Sequence, residues 1–163
     1  MKVLVASLVL LAASSSFAAS ASNFEGSYRL TKSQVDGDTF CYNGIIIAKE
    51  ENQLAFYRAD ISYSPLFKAE VNGEARAVSG SHGEAMSSYK GTESVTLDAK
   101  GLLTFEFKAV NKFLGIPATR EKETNTLQLS KDGKKLRAVR ATFEGPVAGI
   151  GKRAKALCEY DRE

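Results

Sequence analysis

The stretch VTLDAKGLLTFEFKAV sets the pattern for this chain. Leu103, Phe105 and Phe107 alternate with Thr104, Glu106 and Lys108. A period of two gives a strand one buried and one wet face. Val95 and Leu97 carry the same alternation before Ala99-Lys100-Gly101, and Gly101 suits a tight reversal. A second hairpin is expected from TLQLS and KLRAVRATF, which flank Lys131-Asp132-Gly133-Lys134. On its return strand Val139, Ala141 and Phe143 share a parity with Arg137, which makes them the expected inner face. Leu136 then breaks the alternation, and a bulge near the turn is predicted.

Further strands are expected over Glu25–Thr31, around Ile45-Ile46-Ile47, over Asn52–Arg58, around Phe67, Ala69 and Val71, and from Arg153 to Tyr160. Asn72-Gly73 offers another turn. The segment from Ala118 to Ser130 is long and polar early on; it reads as a protrusion or a charge-guarded edge. No segment supports an amphipathic helix, although one helical turn fits Asn111 to Leu114. Nine or ten short strands separated by turns predict an all-β fold: an antiparallel up-and-down β-barrel, with a β-sandwich as the alternative.

The N-terminus changes the domain picture. MKVLVASLVLLAASSSFAASAS places Lys2 before an apolar run from Val3 to Ala13 and a tail of small residues. That order is the pattern of a secretory signal peptide. The run of about 11 residues is too short for a bilayer, which needs about 20. Residues 1–19 are therefore read as a signal peptide and residues 20–163 as one β-barrel domain. Export, to the periplasm or beyond the cell, is implied, and no membrane span is expected.

Composition adds the sulfurs and the charge. Cys41 and Cys158 are the only cysteines. An oxidising compartment lets them form one intramolecular bridge, with a reduced pair or intermolecular bonding as alternatives. In an up-and-down barrel the first and last strands are neighbours, so such a bridge would pin the closing strand to the opening hairpin. The charge is uneven. From Ser22 to Ala99 there are 7 basic and 11 acidic residues; from Lys100 to Glu163 there are 14 and 8. The basic half can serve an anionic envelope polymer or lipid headgroup, or can simply be solvated surface. It lacks the aromatic interleaving of a nucleic-acid platform, so no nucleic acid is expected.

Phe24-Glu25-Gly26-Ser27-Tyr28, at the head of the first strand, resembles the opening of lipocalin-type and other calycin-like barrels. Those families begin with a glycine, one intervening residue and an aromatic, usually Trp; here Gly26 and Tyr28 stand in those places, and the chain has no Trp. The resemblance implies that Tyr28 plugs the closed end and that an apolar cavity lies above it.

Chemistry is sparse. His82, in Ser79-Gly80-Ser81-His82-Gly83-Glu84, is the single histidine and is read as a loop residue, not half of a catalytic pair. Gly145 to Lys152 departs from a phosphate loop: five residues separate Gly145 from Gly151 where four are needed, and Arg153 replaces Ser or Thr. Asp36-Gly37-Asp38 lacks the rest of a calcium loop and reads as a turn. Glu121 and Glu123 flank Lys122, with Arg120 nearby, and read as solvated cross-strand pairs. No enzyme activity, metal or cofactor is expected. Asn111-Lys112-Phe113-Leu114-Gly115-Ile116-Pro117 places three large apolar residues in an expected connection, as a lid, a partner contact or a loop tucked on the core.

The expected function is an exported binding protein that holds a small apolar or amphipathic ligand inside the barrel. Phe56, Phe67, Leu103, Phe105, Phe107 and Val139 are the candidate walls, and Phe113 with Ile116 the gate. Each is equally a good core residue. The alternative is an envelope interaction or inhibitor protein that binds a protein or anionic polymer through its outer surface.

Overall fold

The computed structural model describes residues 20–61, 64–81 and 87–163; the expected signal peptide and His82 lie outside them. Ten strands form one antiparallel sheet: β1 (Gly26–Asp36), β2 (Gly44–Glu50), β3 (Gln53–Arg58), β4 (Phe67–Glu70), β5 (Arg76–Ser81), β6 (Ser87–Leu97), β7 (Leu102–Phe113), β8 (Ile116–Leu129), β9 (Lys135–Pro146) and β10 (Lys152–Arg162). Their spatial order is β4-β3-β2-β1-β10-β9-β8-β7-β6-β5, so the first and last strands are neighbours. The sheet curls into a nearly closed up-and-down barrel, not a sandwich. Cys41 and Cys158 are bridged, with their Cα atoms 5.7 Å apart. Cys41 sits in the connection before β2 rather than on it.

Because β1 and β10 meet, the break in the ring falls between the two edge strands of the sheet, β4 and β5, and the end of β4 closes against β6. Isolated backbone and side-chain contacts stand in for the missing ladder there. Val71 bridges Val95 in parallel. The Asn72 amide N–H donates to the Val95 carbonyl at 2.8 Å, and its side-chain Oδ1 accepts from the Leu97 N–H at 2.8 Å. Higher up, Glu93 Oε2 accepts from the Lys68 N–H at 3.2 Å and faces Arg76 at 3.3 Å. β5 pairs only with the upper part of β6, so the wall opens towards that end.

Glu93 makes this seam pH-sensitive. Burial raises its carboxyl above the ordinary range, and Lys68 N–H and Arg76 offset only part of that. The folded state thus holds the Glu93 proton more tightly than the unfolded chain does. Its favourable contribution is present at low pH and is lost as pH rises through the raised value. Glu93→Gln keeps an acceptor for Lys68 and removes the buried charge. Urea midpoints are expected to show E93Q equal to or more stable than the parent at pH 7, with the advantage gone at pH 4. A Gln variant clearly weaker at pH 7 would contradict this account of the seam.

The lower half of the barrel is filled. Phe24, Tyr28, Ile45, Ile47, Leu54, Phe56, Phe67, Val95, Leu103, Phe105, Leu127 and Leu136 are among its buried core. The outward row of β7 and β8 carries Thr104, Glu106, Lys108, Lys122 and Thr124, and both lysines pair with Glu106. On these two strands the outer row is polar, the reverse of a strand that faces lipid. Among the described residues no helix is long and apolar enough to cross a membrane.

Several local expectations are corrected. On β9 the buried parity is Leu136, Ala138 and Arg140, so Val139 points outward and is not an interior wall residue. No bulge is needed near the β8–β9 turn, because pairing runs unbroken from Leu129↔Leu136 to Thr119↔Pro146. Ala118 to Leu129 lies within β8, a central strand paired on both sides, not an edge. Asn111 to Pro117 forms neither a helical turn nor a loose loop: β7 and β8 continue to Phe113↔Ile116. The turn is Leu114-Gly115, with φ of 51° and 79°.

Candidate functional site

The base of the barrel is sealed. A short 3-10 helix, Ala21–Phe24, leads into β1, and the Tyr28 hydroxyl donates to the Phe24 carbonyl at 2.8 Å. Arg162, at the end of β10, lies over the Tyr28 ring at 5.5 Å and donates to the carbonyls of Asn23, Glu25 and Gly133. Tyr28 therefore does occupy the closed end.

Above it stands packed aromatic side chain rather than space. Phe56 lies 5.8 Å from Phe67 and 5.2 Å from Phe105, and Tyr42 lies 6.0 Å from Phe56, centroid to centroid. These tilted and edge-on arrangements are favourable for aromatic rings. Of the residues expected to line a container, Phe56, Phe67, Leu103 and Phe105 come together as this solid cluster. Phe107 is half-buried one step higher, while Phe113 and Ile116 are exposed at the tip of the β7–β8 hairpin.

The open space begins where the aromatic cluster ends. A cleft of about 510 Å³ occupies the mouth. Its walls come from the β1–β2 connection (Gly37 to Phe40), from Phe107 on β7, from Glu121–Glu123 on β8, and from β9 and β10 around Thr142 and Lys152. Arg140 and Glu123 form its floor. Arg140 Nε and Nη2 reach Glu123 Oε1 and Oε2 at 2.8 and 3.0 Å, a two-pronged ion pair. Oε1 also accepts from the Tyr42 hydroxyl at 3.0 Å and from Asn125 Nδ2 at 2.9 Å. Arg140 Nη1 donates to the Phe40 carbonyl at 3.0 Å. The guanidinium lies 4.3 Å from the Phe40 ring centre and 4.6 Å from that of Tyr42.

This cluster is held charged. Burial works to raise the Glu123 carboxyl, but the hydrogen bonds and charge of Arg140, with Asn125 and Tyr42, outweigh it and hold the group below its usual range. Burial also works against the charge on Arg140, and Glu123 more than compensates. Desolvation, with the neighbouring Glu123 carboxylate, keeps the Tyr42 hydroxyl protonated well above its ordinary range. The site thus offers fixed charges and aromatic faces. Among the described residues no group of three or more His, Cys, Asp or Glu is placed to hold a metal ion.

Arg140, Asn125 and Tyr42 were not singled out from the sequence, and Glu123, expected as a solvated cross-strand charge, instead turns inward and is bound by Arg140, Tyr42 and Asn125. The signal was in the parity of β8. Leu129, Leu127, Asn125 and Glu123 share one face, so an inward Leu pair predicts inward Asn and Glu above it.

The fold class is a nearly closed, ten-stranded antiparallel up-and-down barrel, compatible with a calycin-like architecture. Comparison with known proteins finds no matching family model, no matching curated protein and no matching solved structure.

Proposed function

We propose that this chain is an exported, lipocalin-like binding protein that takes a small amphipathic ligand into the mouth of its barrel. The observation that carries this reading is the cleft of about 510 Å³ standing over the Arg140–Glu123 pair, with the half-buried Phe107 and half-exposed Phe40 on its walls. A volume of this size suits a small molecule. The filled lower barrel argues against a wholly apolar ligand sunk deep inside. The rings of Phe40 and Phe107 serve the apolar part, and the charged wall residues the polar part. The Cys41–Cys158 bridge supports work outside a reducing compartment.

The test uses an anionic fluorescent amphiphile, anilinonaphthalene sulfonate, and native mass spectrometry of protein from its host. Saturable binding of one probe per chain is expected, weakened about tenfold in Phe107→Ala by loss of the apolar contact, with an unchanged far-UV spectrum. No co-purifying molecule and no saturable probe binding would count against the proposal.

The outer face favours a second reading, an interaction protein for an anionic polymer. Lys108, Arg120, Lys122 and Arg153 surround Phe143 along a surface cleft of about 500 Å³, and Arg120 lies over the Phe143 ring at 5.2 Å. Polymer binding through this face should fall steeply with salt.

A further inference from the structure

The molecule exposes its large apolar side chains unevenly. Phe113, Leu114 and Ile116 are 55%, 61% and 69% exposed, and Val147 and Ile150 are 41% and 99% exposed. The first three form the tip of the β7–β8 hairpin; the other two lie in the β9–β10 connection. The two tips are neighbours. β8 pairs with β9 up to Thr119↔Pro146, the Val147 N–H donates to the Ala118 carbonyl at 3.3 Å, and Arg120 Nη2 donates to the Gly149 carbonyl at 3.3 Å. They form one double prong at the open end of the sheet.

A collar of cations stands behind the prong. Lys112 precedes Phe113, Arg120 ties the tips together, and Lys152 and Arg153 follow Ile150. Lys90 pairs with Val110 on the adjoining strand. Two acidic residues stand among these five cations: Glu121 lines the outer cleft with Lys90, Arg120 and Arg153, and Glu144 pairs in register with Lys152, so the collar keeps a net positive charge. The apolar residues thus project ahead of a basic ring.

We infer that this double prong docks the protein on an anionic lipid surface, with the apolar tips in the headgroup–acyl boundary and the collar against the headgroups. Apolar side chains backed by Lys and Arg are the chemistry of interfacial membrane binding. The shape favours a bilayer over a partner groove, because the side chains stand on two separate projections that a fluid interface can receive together. The turn adds support. A branched apolar residue, Leu114, occupies a left-handed position that Asn or Gly fills at lower cost, and it holds an apolar side chain at the very tip. This inference does not depend on a ligand in the mouth.

The chain has no Trp, which makes the test direct. The mature protein is floated with vesicles of phosphatidylcholine alone, or with about a third phosphatidylglycerol, at low and high salt. Binding to the anionic vesicles is expected, and little to the zwitterionic ones. Leu114→Ser with Ile150→Ser should lower partition about tenfold or more. Lys112→Glu with Arg153→Glu should lower it and flatten its salt dependence. A Leu114→Trp or Ile150→Trp side chain should shift its emission to the blue on anionic vesicles. Unchanged melting temperatures would show that the variants remain folded. The inference is overturned if the parent protein does not partition, if partition ignores the tip substitutions, if neither Trp responds, or if the Trp shift follows protein concentration without vesicles, which would mark self-association.

Discussion

Arg140→Ala is expected to destabilise the protein by about 3–5 kcal/mol at pH 7, the usual cost of leaving a buried charge without its partner. Arg140 is almost wholly buried and supplies two of the four hydrogen bonds received by Glu123. Without it, Tyr42 and Asn125 remain as donors, and neither carries a charge. The change also removes the donor to the Phe40 carbonyl, so the β1–β2 connection loses an anchor. The pH dependence follows from the signs. In the parent, the Glu123 carboxyl is held below its ordinary value. Its stabilising contribution is therefore present above the unfolded value and is lost as pH falls through the folded one. In the variant, burial acts on Glu123 without Arg140 to oppose it, and the carboxyl takes up a proton at higher pH. The gap between parent and variant should thus narrow as the pH falls into the carboxylate range and the variant's Glu123 takes up its proton. Urea unfolding at pH 7 and pH 4.5 measures both effects. The double change Glu123→Leu with Arg140→Met should recover much of the loss, because matched apolar side chains leave no buried charge. If R140A alone proves nearly silent at pH 7, the floor of the cleft is not the fixed charged platform described here.

Removing the disulfide by Cys41→Ala with Cys158→Ala should have an effect of similar size, for a different reason. The bridge joins residues 117 apart, nearly the whole domain. Restricting so long a loop in the unfolded chain is worth about 4–5 kcal/mol at most on the chain-entropy account. A fall in melting temperature on the order of 10–20 °C is expected, measured by circular dichroism. The bridge also acts locally. It holds the β1–β2 connection against β10, where Phe40 and Tyr42 cover Arg140. Probe binding at the mouth should therefore weaken at temperatures where the double alanine variant is still folded. A loss of stability with unchanged probe binding would mean that Phe40 and Tyr42 are placed without the bridge.

Much of this architecture was legible in the chain. Leu103, Phe105 and Phe107 alternate cleanly because β7 lies over the filled core. Asp132-Gly133 marked the β8–β9 reversal, with Gly133 at a φ of 72°. Two cysteines and paired terminal strands were readable as a closing link. What escaped had physical reasons. The outer row of β9 carries Val139 and Phe143, while its inner row carries Ala138 and Arg140, so hydrophobicity alone chose the wrong face. Arg140 makes sense inside only when Glu123 on β8 is placed opposite, and that pairing is a tertiary fact. Leu114-Gly115 lacks the Asn-Gly signature of a tight turn, so its apolar neighbours read as a connection. The seam was invisible because nothing in Asn72 or Glu93 alone announces that it will stand in for a missing strand. The interior position of Phe56, Phe67 and Phe105 was legible, and the charged pair above them was not.

On the proposed function, a ligand enters above the aromatic cluster and not within it. A chemical-shift map of isotope-labelled protein titrated with anilinonaphthalene sulfonate tests this most directly. Saturable shifts should centre on Phe40, Phe107, Arg140 and Thr142, leaving Leu103, Phe105 and Phe56 still. Shifts centred on those deeper residues, or a diffuse pattern that never saturates, would contradict it.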